Sequence, residues 1–582
     1  MPRALRTIPA LLFLSVSAIA AQAPFRTHTD RFEPPRFTTR AAWEARAAYL
    51  REHVLASAGL VPLPARTPLN AVVFGEIRHD DYMVAKVYFE SLPGFYVTGN
   101  LYRPFGEGPF PAILSPHGHW SNGRLEDTAV TSIPGRAIGL ARQGFVVFTH
   151  DMVGYDDSRQ LTHTFGGKRE ALWGLSLGGL QLWNSMRALD FLETLPYVRK
   201  DGFGATGESG GGTQTFLLAA VDRRVTVAAP VNMISLHMQG GCLCENPPGL
   251  RLDTTNVEIA ATIAPRPLLM VSATGDWTNE TLEHEFPAVR AIYALFDAEA
   301  NVHAVRVDAP HNYNKQSREA MYAWMARWLQ HAPPDVKRPE RSFTADSLAD
   351  LLVFYGRPLP EHARTAAEVT EQWIAAAQSQ LAEPRADGPS RSDLTAALRH
   401  ALGFGEARTA GTTSAVPGRR IVLVASDHAD VRALRAAGFV IQPIAFTPFD
   451  ETQAAKVRHF ETYNRTAASQ RVADIVTALD ASPSAVLVAD GDAGLAALLA
   501  LAIVPGRRAV IDVGRFDRTD DTQFVERVYI PGLRRAGDFA TAIAMAGEHV
   551  TIHNAGDRFA VAGARVEREQ LSATAIATLL RQ

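Results

Sequence analysis

The chain has 582 residues, which is too long for one ordinary hydrophobic core, so two or three domains are expected. Hydrophobic residues make up 47% and charged residues 20%, as is ordinary for a soluble globular protein. The formal net charge of −3 gives no reason to expect nucleic acid as a partner, and the composition does not determine the oligomeric state.

The N-terminal segment 1–20 has the pattern of an export signal. Two arginines make its start basic, residues 8–19 are mostly apolar, and small residues suit cleavage after Ala20. The alternative is a membrane anchor, but an apolar run of about 12 residues is short for a bilayer-spanning helix. We therefore expect export to the periplasm or the medium, with no stable membrane insertion after cleavage.

Residues 21–69 are predicted to form an N-terminal arm with a helix over 41–58. Residues 70–332 alternate strand-like and helix-like runs, and the first two strands, 84–90 and 94–102, should be antiparallel. This alternation predicts an α/β domain with a mostly parallel sheet flanked by helices. The other strand-like runs are 111–115, 145–149, 203–206, 225–230, 268–272 and 302–307.

Residues 333–417 are predicted to form a proline-containing linker and a helical segment, and 418–582 a second, smaller α/β domain. The second domain resembles a degenerate repeat of the first, although two α/β domains can look alike without kinship. In the repeat alignment Asp492 takes the position of Ser209, and His553 is the histidine placed to act with it. We expect a non-catalytic role for this domain. Its strand-like runs are 420–425, 439–444, 485–489, 509–513 and 549–553.

Two G-x-S-x-G pentapeptides could hold a nucleophilic serine on a sharp strand-to-helix turn. They are 174–178 around Ser176 and 207–211 around Ser209. Ser209 follows a strand-like run and precedes a predicted helix at 213–221, as this turn requires. Ser176 follows no convincing strand, and a serine there is explained as the N-terminal cap of a helix. Ser209 is therefore the predicted nucleophile.

The acid and the base of a catalytic triad should follow late strands of the domain, in the order serine, acid, histidine. Asp276 ends the run LLMVSATGD and is the predicted acid, with Glu280 and Asp308 as alternatives. His311 follows the last strand and is the predicted base. His303 lies within that strand and is expected to pack in the domain instead.

The backbone amides of Gly210 and of Gly118 or His119 are predicted to form an oxyanion hole. Gly210 follows the nucleophile, and the other two residues follow the strand-like run at 111–115. Aromatic side chains near these loops could stack on a sugar, although core packing is the more frequent role for such residues. These substrate-binding candidates are Trp120, Trp277 and Tyr313.

No metal or other cofactor is predicted. His117 and His119 stand close together, but no third histidine or carboxylate lies near them at ligand spacing. The only two cysteines, Cys242 and Cys244, are too few for a zinc site on their own and too close together for an unstrained disulfide. We assign them to local structure.

Four segments carry a family resemblance: GESGGGTQTFLLAAVDRRV, QGGCLCENPPGLR, APRPLLMVSATGDWT and HNYNKQSREAMYAWMARWL. They resemble secreted bacterial acetylxylan-esterase-like or dienelactone-hydrolase-like proteins of the α/β-hydrolase superfamily, over roughly residues 70–330. The resemblance implies hydrolysis of carboxylic esters, such as acetyl esters of plant-wall carbohydrates. It places Ser209, Asp276 and His311 at the triad positions and 117–119 on the oxyanion loop. The glycine-rich run before Gly207 departs from the bulkier strand of relatives.

Two other functions share this triad order. A prolyl-oligopeptidase-like serine peptidase uses the same residue types, but no separate propeller is visible in the sequence. A ligand-binding protein with an inactive hydrolase fold is the other possibility, and the intact order of triad residues argues against it.

Overall fold

A computed structural model describes residues 25–382, 390–405, 421–426 and 431–581. The predicted export signal at 1–20 lies outside these residues. Within the described ranges, no helix is both long enough and apolar enough to cross a membrane. The same ranges contain two β-sheets, of nine and six strands, with helices packed on both faces of each.

The first sheet contains the strands β1 (Val72–Arg78), β2 (Met83–Leu92), β3 (Phe95–Arg103), β4 (Phe110–Leu114), β5 (Val146–His150), β6 (Val198–Glu208), β7 (Val225–Val231), β8 (Leu268–Gly275) and β9 (Val302–Pro310). Their order is β1-β2-β3-β5-β4-β6-β7-β8-β9. The pairs β1–β2, β2–β3 and β3–β5 are antiparallel, and all pairs from β5 to β9 are parallel. This mostly parallel sheet confirms the predicted fold class.

Burial on both faces explains why the inner strands were recognisable. Val146 and Phe148 of β5 pack into the core on one face and Val147 into the core on the other, because successive side chains of a strand point to opposite faces. Such strands form continuous apolar runs in the sequence. The edge strand β1 was not predicted, since its side chains are exposed or half-buried along its whole length.

The helices up to the end of the first sheet are α1 (Arg40–Ser57), α2 (Ile133–Arg142), α3 (Lys168–Leu172), α4 (Leu177–Thr194), α5 (Gly210–Val221), α6 (Asn256–Ala261), α7 (Glu285–Ala294) and α8 (Lys315–Leu329). The core on one face of the sheet includes side chains of α1, α4 and α5. The core on the opposite face includes side chains of α2 and α8. The predicted helix of the N-terminal arm is thus α1, and it belongs to the first core.

Three helices follow the first sheet: α9 (Leu348–Leu351), α10 (Ala366–Ala382) and α11 (Arg391–Ala401). The second sheet contains β10 (Ile421–Ala425), β11 (Val440–Pro443), β12 (Val486–Ala489), β13 (Ala509–Asp512), β14 (Val550–His553) and β15 (Arg565–Val566). All its pairs are parallel, in the order β11-β10-β12-β13-β14-β15. The parallel strands β4 to β9 follow the same order, so the two sheets share one topology.

The helices that follow β10 along the chain are α12 (Val431–Ala436), α13 (Glu451–Ala454), α14 (Phe460–Tyr463), α15 (Ala467–Ala481), α16 (Gly491–Ile503), α17 (Asp521–Arg527), α18 (Asp538–Ala546) and α19 (Ala573–Leu579). The shared topology equates the β12–α16 turn with the β6–α5 turn. There Gly491 has the positive φ (56°), and Asp492 lies one residue further, inside the helix. Asp492 bonds to Arg527 (2.8 Å), whereas His553 lies 3.9 Å from Asp512, so the described residues do not pair Asp492 with His553.

Candidate active site

Ser209 lies on the tight turn between β6 and α5, with φ of 55° and ψ of −123°. A positive φ is strained for a residue with a side chain, and such strain persists where the surrounding structure holds it in place. The N–H of Ser209 donates to the carbonyl oxygen of Val231 at the end of β7 (3.0 Å), which anchors the turn to the neighbouring strand. The strand and helix that the pentapeptide prediction requires are therefore both present.

The glycines two positions before and after Ser209 are required by close packing of the turn. A Cβ on Gly207 would lie 2.5 Å from the carbonyl oxygen of Pro116, and a Cβ on Gly211 would lie 2.6 Å from the same atom. Both distances are far below van der Waals contact, so a side chain at either position would push the loop after β4 away from the serine. The G-x-S-x-G spacing thus keeps the turn and this loop in contact.

The loop after β4 runs beside Ser209. A Cβ on Gly118 would lie only 3.2 Å from the Cβ of Ser209. Gly210 is the first residue of α5, where the backbone N–H has no partner within the helix and suits a negatively charged oxygen. His117 holds the loop, because its Nδ1–H donates to the Gly118 carbonyl (2.7 Å) and its Nε2 accepts from the Met152 amide (3.0 Å). Burial holds the pKa of His117 well below its usual value, so the ring is neutral.

Asp276 follows β8 and His311 follows β9, and a hydrogen bond joins the two side chains. The Nδ1–H of His311 donates to Oδ2 of Asp276 (2.8 Å), while the other carboxylate oxygen accepts from the amide (2.7 Å) and the hydroxyl (2.5 Å) of Thr278. In the neutral imidazole this bond places the proton on Nδ1 and leaves a lone pair on Nε2. This Nε2 is buried and has no hydrogen-bond partner among the described residues, which is the state of a histidine ready to accept a proton.

Trp120 connects the Asp276–His311 pair to the serine turn. Its ring stacks on His311 with the centroids 6.0 Å apart, and its Nε1–H donates to Oε1 of Glu208 (2.7 Å), the residue before Ser209. Trp277 packs against the same imidazole, with ring centroids 4.5 Å apart. Both indoles are half-buried. The two tryptophans therefore form a wall beside the imidazole of His311.

Tyr313 does not form part of this wall. Its side chain is fully buried, its hydroxyl shares a hydrogen bond with Thr206 (2.6 Å), and the guanidinium of Arg136 lies 4.5 Å from its ring centroid. The prediction of Tyr313 as a substrate-binding residue is therefore wrong, and core packing accounts for it. Its closeness to His311 in sequence was misleading, because the chain turns back into the core within two residues.

Glu208, inside the pentapeptide, is a residue of the site that sequence reasoning missed. It is fully buried, and its Oε2 accepts from the fully buried Arg136 of α2 (2.6 Å). Arg136 also donates to the Ser115 hydroxyl (2.9 Å) and the Pro116 carbonyl (3.2 Å). The ion pair thus fastens the serine turn to the loop after β4. Its position is a variable one in the motif, so the pattern offered no signal for it.

The alternative candidates lie away from this arrangement. Ser176 is the N-terminal cap of α4, and its side chain accepts from the amide of Gly179 (3.1 Å). Glu280 pairs with Arg31 on the surface (2.7 Å), and Asp308 accepts from a threonine hydroxyl. In the described part of the chain, Asp276 is the carboxylate that bonds to the predicted base.

The chain is similar to several known proteins. No protein-family model matches the chain. The Bacillus subtilis (strain 168) protein named "Putative hydrolase YtaP" is 24% identical over 288 residues, which are 46% of this chain and 95% of that protein. The solved structure of methylesterase BT1017 is 30% identical with a TM-score of 0.51, covering 59% of this chain and 78% of that one. A "putative acetyl xylan esterase" from Bacteroides fragilis is 16% identical with a TM-score of 0.39, covering 59% and 91%.

The parallel sheet with a strained serine turn at the carboxyl end of one strand and an aspartate–histidine pair at the ends of two later strands defines an α/β-hydrolase. The similarity to the methylesterase covers more than two thirds of that structure, and the chain belongs to the α/β-hydrolase superfamily. Within the superfamily it is an esterase, as the sequence resemblance predicted.

Proposed function

We propose that this esterase is a serine hydrolase that forms an acyl-enzyme, with Ser209 as nucleophile, His311 as base and Asp276 as acid. Nε2 of His311 takes the proton of the Ser209 hydroxyl as its oxygen attacks the ester carbonyl. Asp276 keeps the imidazole in the tautomer with the proton on Nδ1 and stabilises the imidazolium that forms. The alcohol leaves with the proton from His311, and water activated by the same histidine then releases the acid.

The backbone amides of Gly210 and of Gly118 or His119 are proposed to receive the negative charge that develops on the carbonyl oxygen. Each such donor contributes on the order of 3 kcal/mol to transition-state stabilisation in known enzymes. The close approach of Gly118 to Ser209 supports this assignment. The buried Glu208–Arg136 pair would hold the loop after β4 and the Ser209 turn in fixed positions relative to each other.

The observation that carries the proposal is the environment of His311. Its Nδ1–H is committed to Asp276, its Nε2 is buried without a hydrogen-bond partner in the described residues, and Trp120 connects its ring to the residue before Ser209. A histidine held in this way is prepared to take a proton from a nucleophile in the same pocket.

We propose carbohydrate esters as substrates, with acetyl esters of plant-wall polysaccharides such as acetylxylan as the first candidate. The two half-buried indoles beside the base, Trp120 and Trp277, offer apolar faces on which a sugar ring can stack. Export directed by residues 1–20 would bring the enzyme to such a substrate. A methyl ester is a second candidate, favoured by the 30% identity to the structure named methylesterase BT1017.

Hydrolysis of p-nitrophenyl acetate by the wild type and two serine variants tests the mechanism. Ser209→Ala should lower kcat on the order of 10⁶-fold, the loss seen when a triad serine is removed. Ser176→Ala is the matched control, since it removes a serine from the same pentapeptide pattern. It should keep full turnover and lose only about 1 kcal/mol of stability with its helix cap. A pre-steady-state burst of p-nitrophenolate in the wild type would report the acyl-enzyme.

Substrate choice is tested by comparing acetic acid release from acetylxylan with methanol release from a methyl-esterified polyuronide. Faster turnover of acetylxylan supports the first candidate, and faster turnover of the methyl ester supports the second. Full activity in a folded Ser209→Ala variant, or an inactive wild type, would refute the proposed mechanism.

A further inference from the structure

Four side chains that can bind a metal lie together next to the Ser209 turn. His119, His163, Cys242 and Cys244 each offer one ligand atom, and these atoms all lie within 4.8 Å of one another. His119 follows β4, His163 lies between β5 and α3, and the two cysteines, both free thiols, lie between β7 and α6. The fold thus brings together two imidazoles and two thiols from three loops.

The spacing of the four ligand atoms suits a tetrahedral zinc ion. Zinc–nitrogen distances of about 2.0–2.1 Å and zinc–sulfur distances of about 2.3 Å place ligand atoms roughly 3.3–3.8 Å apart around the ion. Nε2 of His119 already lies 3.1 Å from Sγ of Cys244, and the largest separation in the cluster is within 4.8 Å. Small side-chain rotations are therefore enough to place all four atoms on one ion.

His163 is held in the tautomer that a metal ligand needs. Its Nδ1–H donates a hydrogen bond to the carbonyl oxygen of Val153 (2.6 Å). The lone pair on Nε2 is therefore the one that can bind a metal. This Nε2 is buried and has no partner in good hydrogen-bond geometry among the described residues, and the neighbour that it faces is the Cys242 thiol. A buried ring nitrogen in this state is unusual in a native structure, and a bound cation would satisfy it.

The loop that carries the two cysteines is also held in place. The carboxylate of Glu245 accepts from the amides of Gly241 (2.9 Å) and Cys242 (3.0 Å), and the side-chain amide of Asn246 donates to the Cys242 carbonyl (2.7 Å). Glu245 and Asn246 are both buried. Because these bonds use the backbone amides and carbonyl of the loop, they orient it without engaging either sulfur atom themselves.

A second group of possible metal ligands differs from the first, because its ligand atoms already have partners. His117, Asp151 and Asp156 also lie close enough to share an ion. Both ring nitrogens of His117 are already hydrogen-bonded, as described for the loop after β4. The carboxylate of Asp151 pairs with the buried guanidinium of Arg124, and that of Asp156 accepts from the Arg124 amide (2.9 Å). These possible ligand atoms already have hydrogen-bond or ion-pair partners within the protein, so this cluster does not need a cation.

We propose that His119, His163, Cys242 and Cys244 bind one Zn²⁺ ion in a structural site beside the oxyanion loop. Two thiolates and two imidazoles in a tetrahedral arrangement are a donor set typical of zinc, and four protein ligands leave no open position on the ion. Each thiol releases its proton to solvent when the ion binds. The expectation of no metal considered only ligands close in sequence, and the tertiary structure supplies the missing ones.

The position of the zinc site links it to the serine turn. A Cβ on Gly210 would lie 2.5 Å from Cε1 of His119, so the His119 ring packs directly against the start of α5. A zinc ion on His119 would fasten the loop after β4 to the two neighbouring loops at this contact. The inference itself does not depend on the proposed mechanism, because it concerns binding of the ion and not turnover.

The zinc content of the purified full-length protein tests the proposal. After incubation with zinc and removal of free ion, the wild type should retain about one zinc ion per chain, and Cys242→Ser and Cys244→Ser less than about a tenth of that. With cobalt in place of zinc, the wild type should show the visible bands of tetrahedral Co²⁺ and thiolate charge-transfer absorption. The cobalt spectrum needs no variant, so it decides the question even where a serine variant folds poorly.

Two variants serve as controls. His284→Ala removes an exposed histidine outside the cluster, and it should retain zinc as the wild type does. Ser209→Ala should also retain zinc, which separates this proposal from the catalytic one. Zinc binding is refuted if the wild type retains no zinc, or if the cysteine variants retain as much as the wild type. A disulfide between Cys242 and Cys244 in the intact mass of the zinc-treated protein would refute it too.

Discussion

Replacement of Glu208 by glutamine should destabilise the protein strongly, because it breaks a buried ion pair from one side. The Glu208 carboxylate accepts from Arg136 at 2.6 Å, from Trp120 at 2.7 Å and from Thr131 at 3.2 Å, and Glu208 and Arg136 are both fully buried. In Glu208→Gln the shape is kept, but the guanidinium of Arg136 stays buried without its paired carboxylate. Removal of one partner from such a pair costs about 3–5 kcal/mol, and we expect the free energy of unfolding to fall by this amount.

Urea unfolding followed by tryptophan fluorescence measures this loss in the domain where it occurs. All eight tryptophans lie between residues 43 and 373, before the second sheet begins. The double variant Glu208→Gln/Arg136→Met removes both charges, and it should recover much of the lost stability because replacement of a whole buried pair is often nearly neutral. Glu280→Gln, at the exposed pair with Arg31, is the control and should leave the urea midpoint unchanged.

Two results of these urea measurements would contradict the prediction. A wild-type urea midpoint for Glu208→Gln would mean that the ion pair does not stabilise the fold. The single variant Arg136→Met completes the cycle, and a double variant whose loss equals the sum of the losses in Glu208→Gln and Arg136→Met would mean that Glu208 and Arg136 do not interact energetically.

Two further predictions concern the base and the buried histidines. Asp276→Asn should lower kcat on the order of 10⁴-fold without unfolding the protein. The amide and hydroxyl of Thr278 both donate to Oδ1, so the new side-chain NH₂ would point toward His311 and the imidazole proton would move to Nε2. A variant with wild-type kcat would contradict the assigned tautomer. Burial lowers the pKa of His150 to about 4, whereas the unfolded chain takes up this proton at about pH 6.5. His150 therefore costs the folded state no stability above that pH and about 1.4 kcal/mol per unit as the pH falls from 6.5 toward 4. In His150→Phe, which can keep the stack on Phe148, urea midpoints measured between about pH 7 and pH 5 should fall less steeply than in the wild type, and equal slopes would count against this role.

The local pattern of the sequence was enough to predict most of the fold. Strands such as β5 and β8 are short apolar runs, since both of their faces are covered, and α1 consists mostly of good helix formers. The strand β6, with glycines among its residues, is weak by propensity and was predicted from its place in the alternation of strand-like and helix-like runs. The edge strand β1 was missed, because its exposed side chains carry no hydrophobic pattern.

The order of the strands along the chain also predicted which residues of the candidate site lie close together. Asp276 and His311 follow two neighbouring parallel strands, and parallel strands all end at the same edge of the sheet, so the two side chains meet there in a hydrogen bond. The same rule places Ser209 at this edge, after β6. Its role as nucleophile stays a prediction until the serine variants are measured.

The sequence by itself therefore determined most of the secondary structure, the fold class and which residues lie at this edge of the sheet, because each of these depends on local pattern or on strand order. Only the tertiary structure decided which loops meet. His119 and Cys244 are separated by 125 positions, yet Nε2 of the one lies 3.1 Å from Sγ of the other. Glu208 pairs with Arg136 on a distant helix, and the side chain of Tyr313 turns into the core. Such contacts depend on how loops pack against one another across the sheet, and no periodicity along the chain encodes that packing.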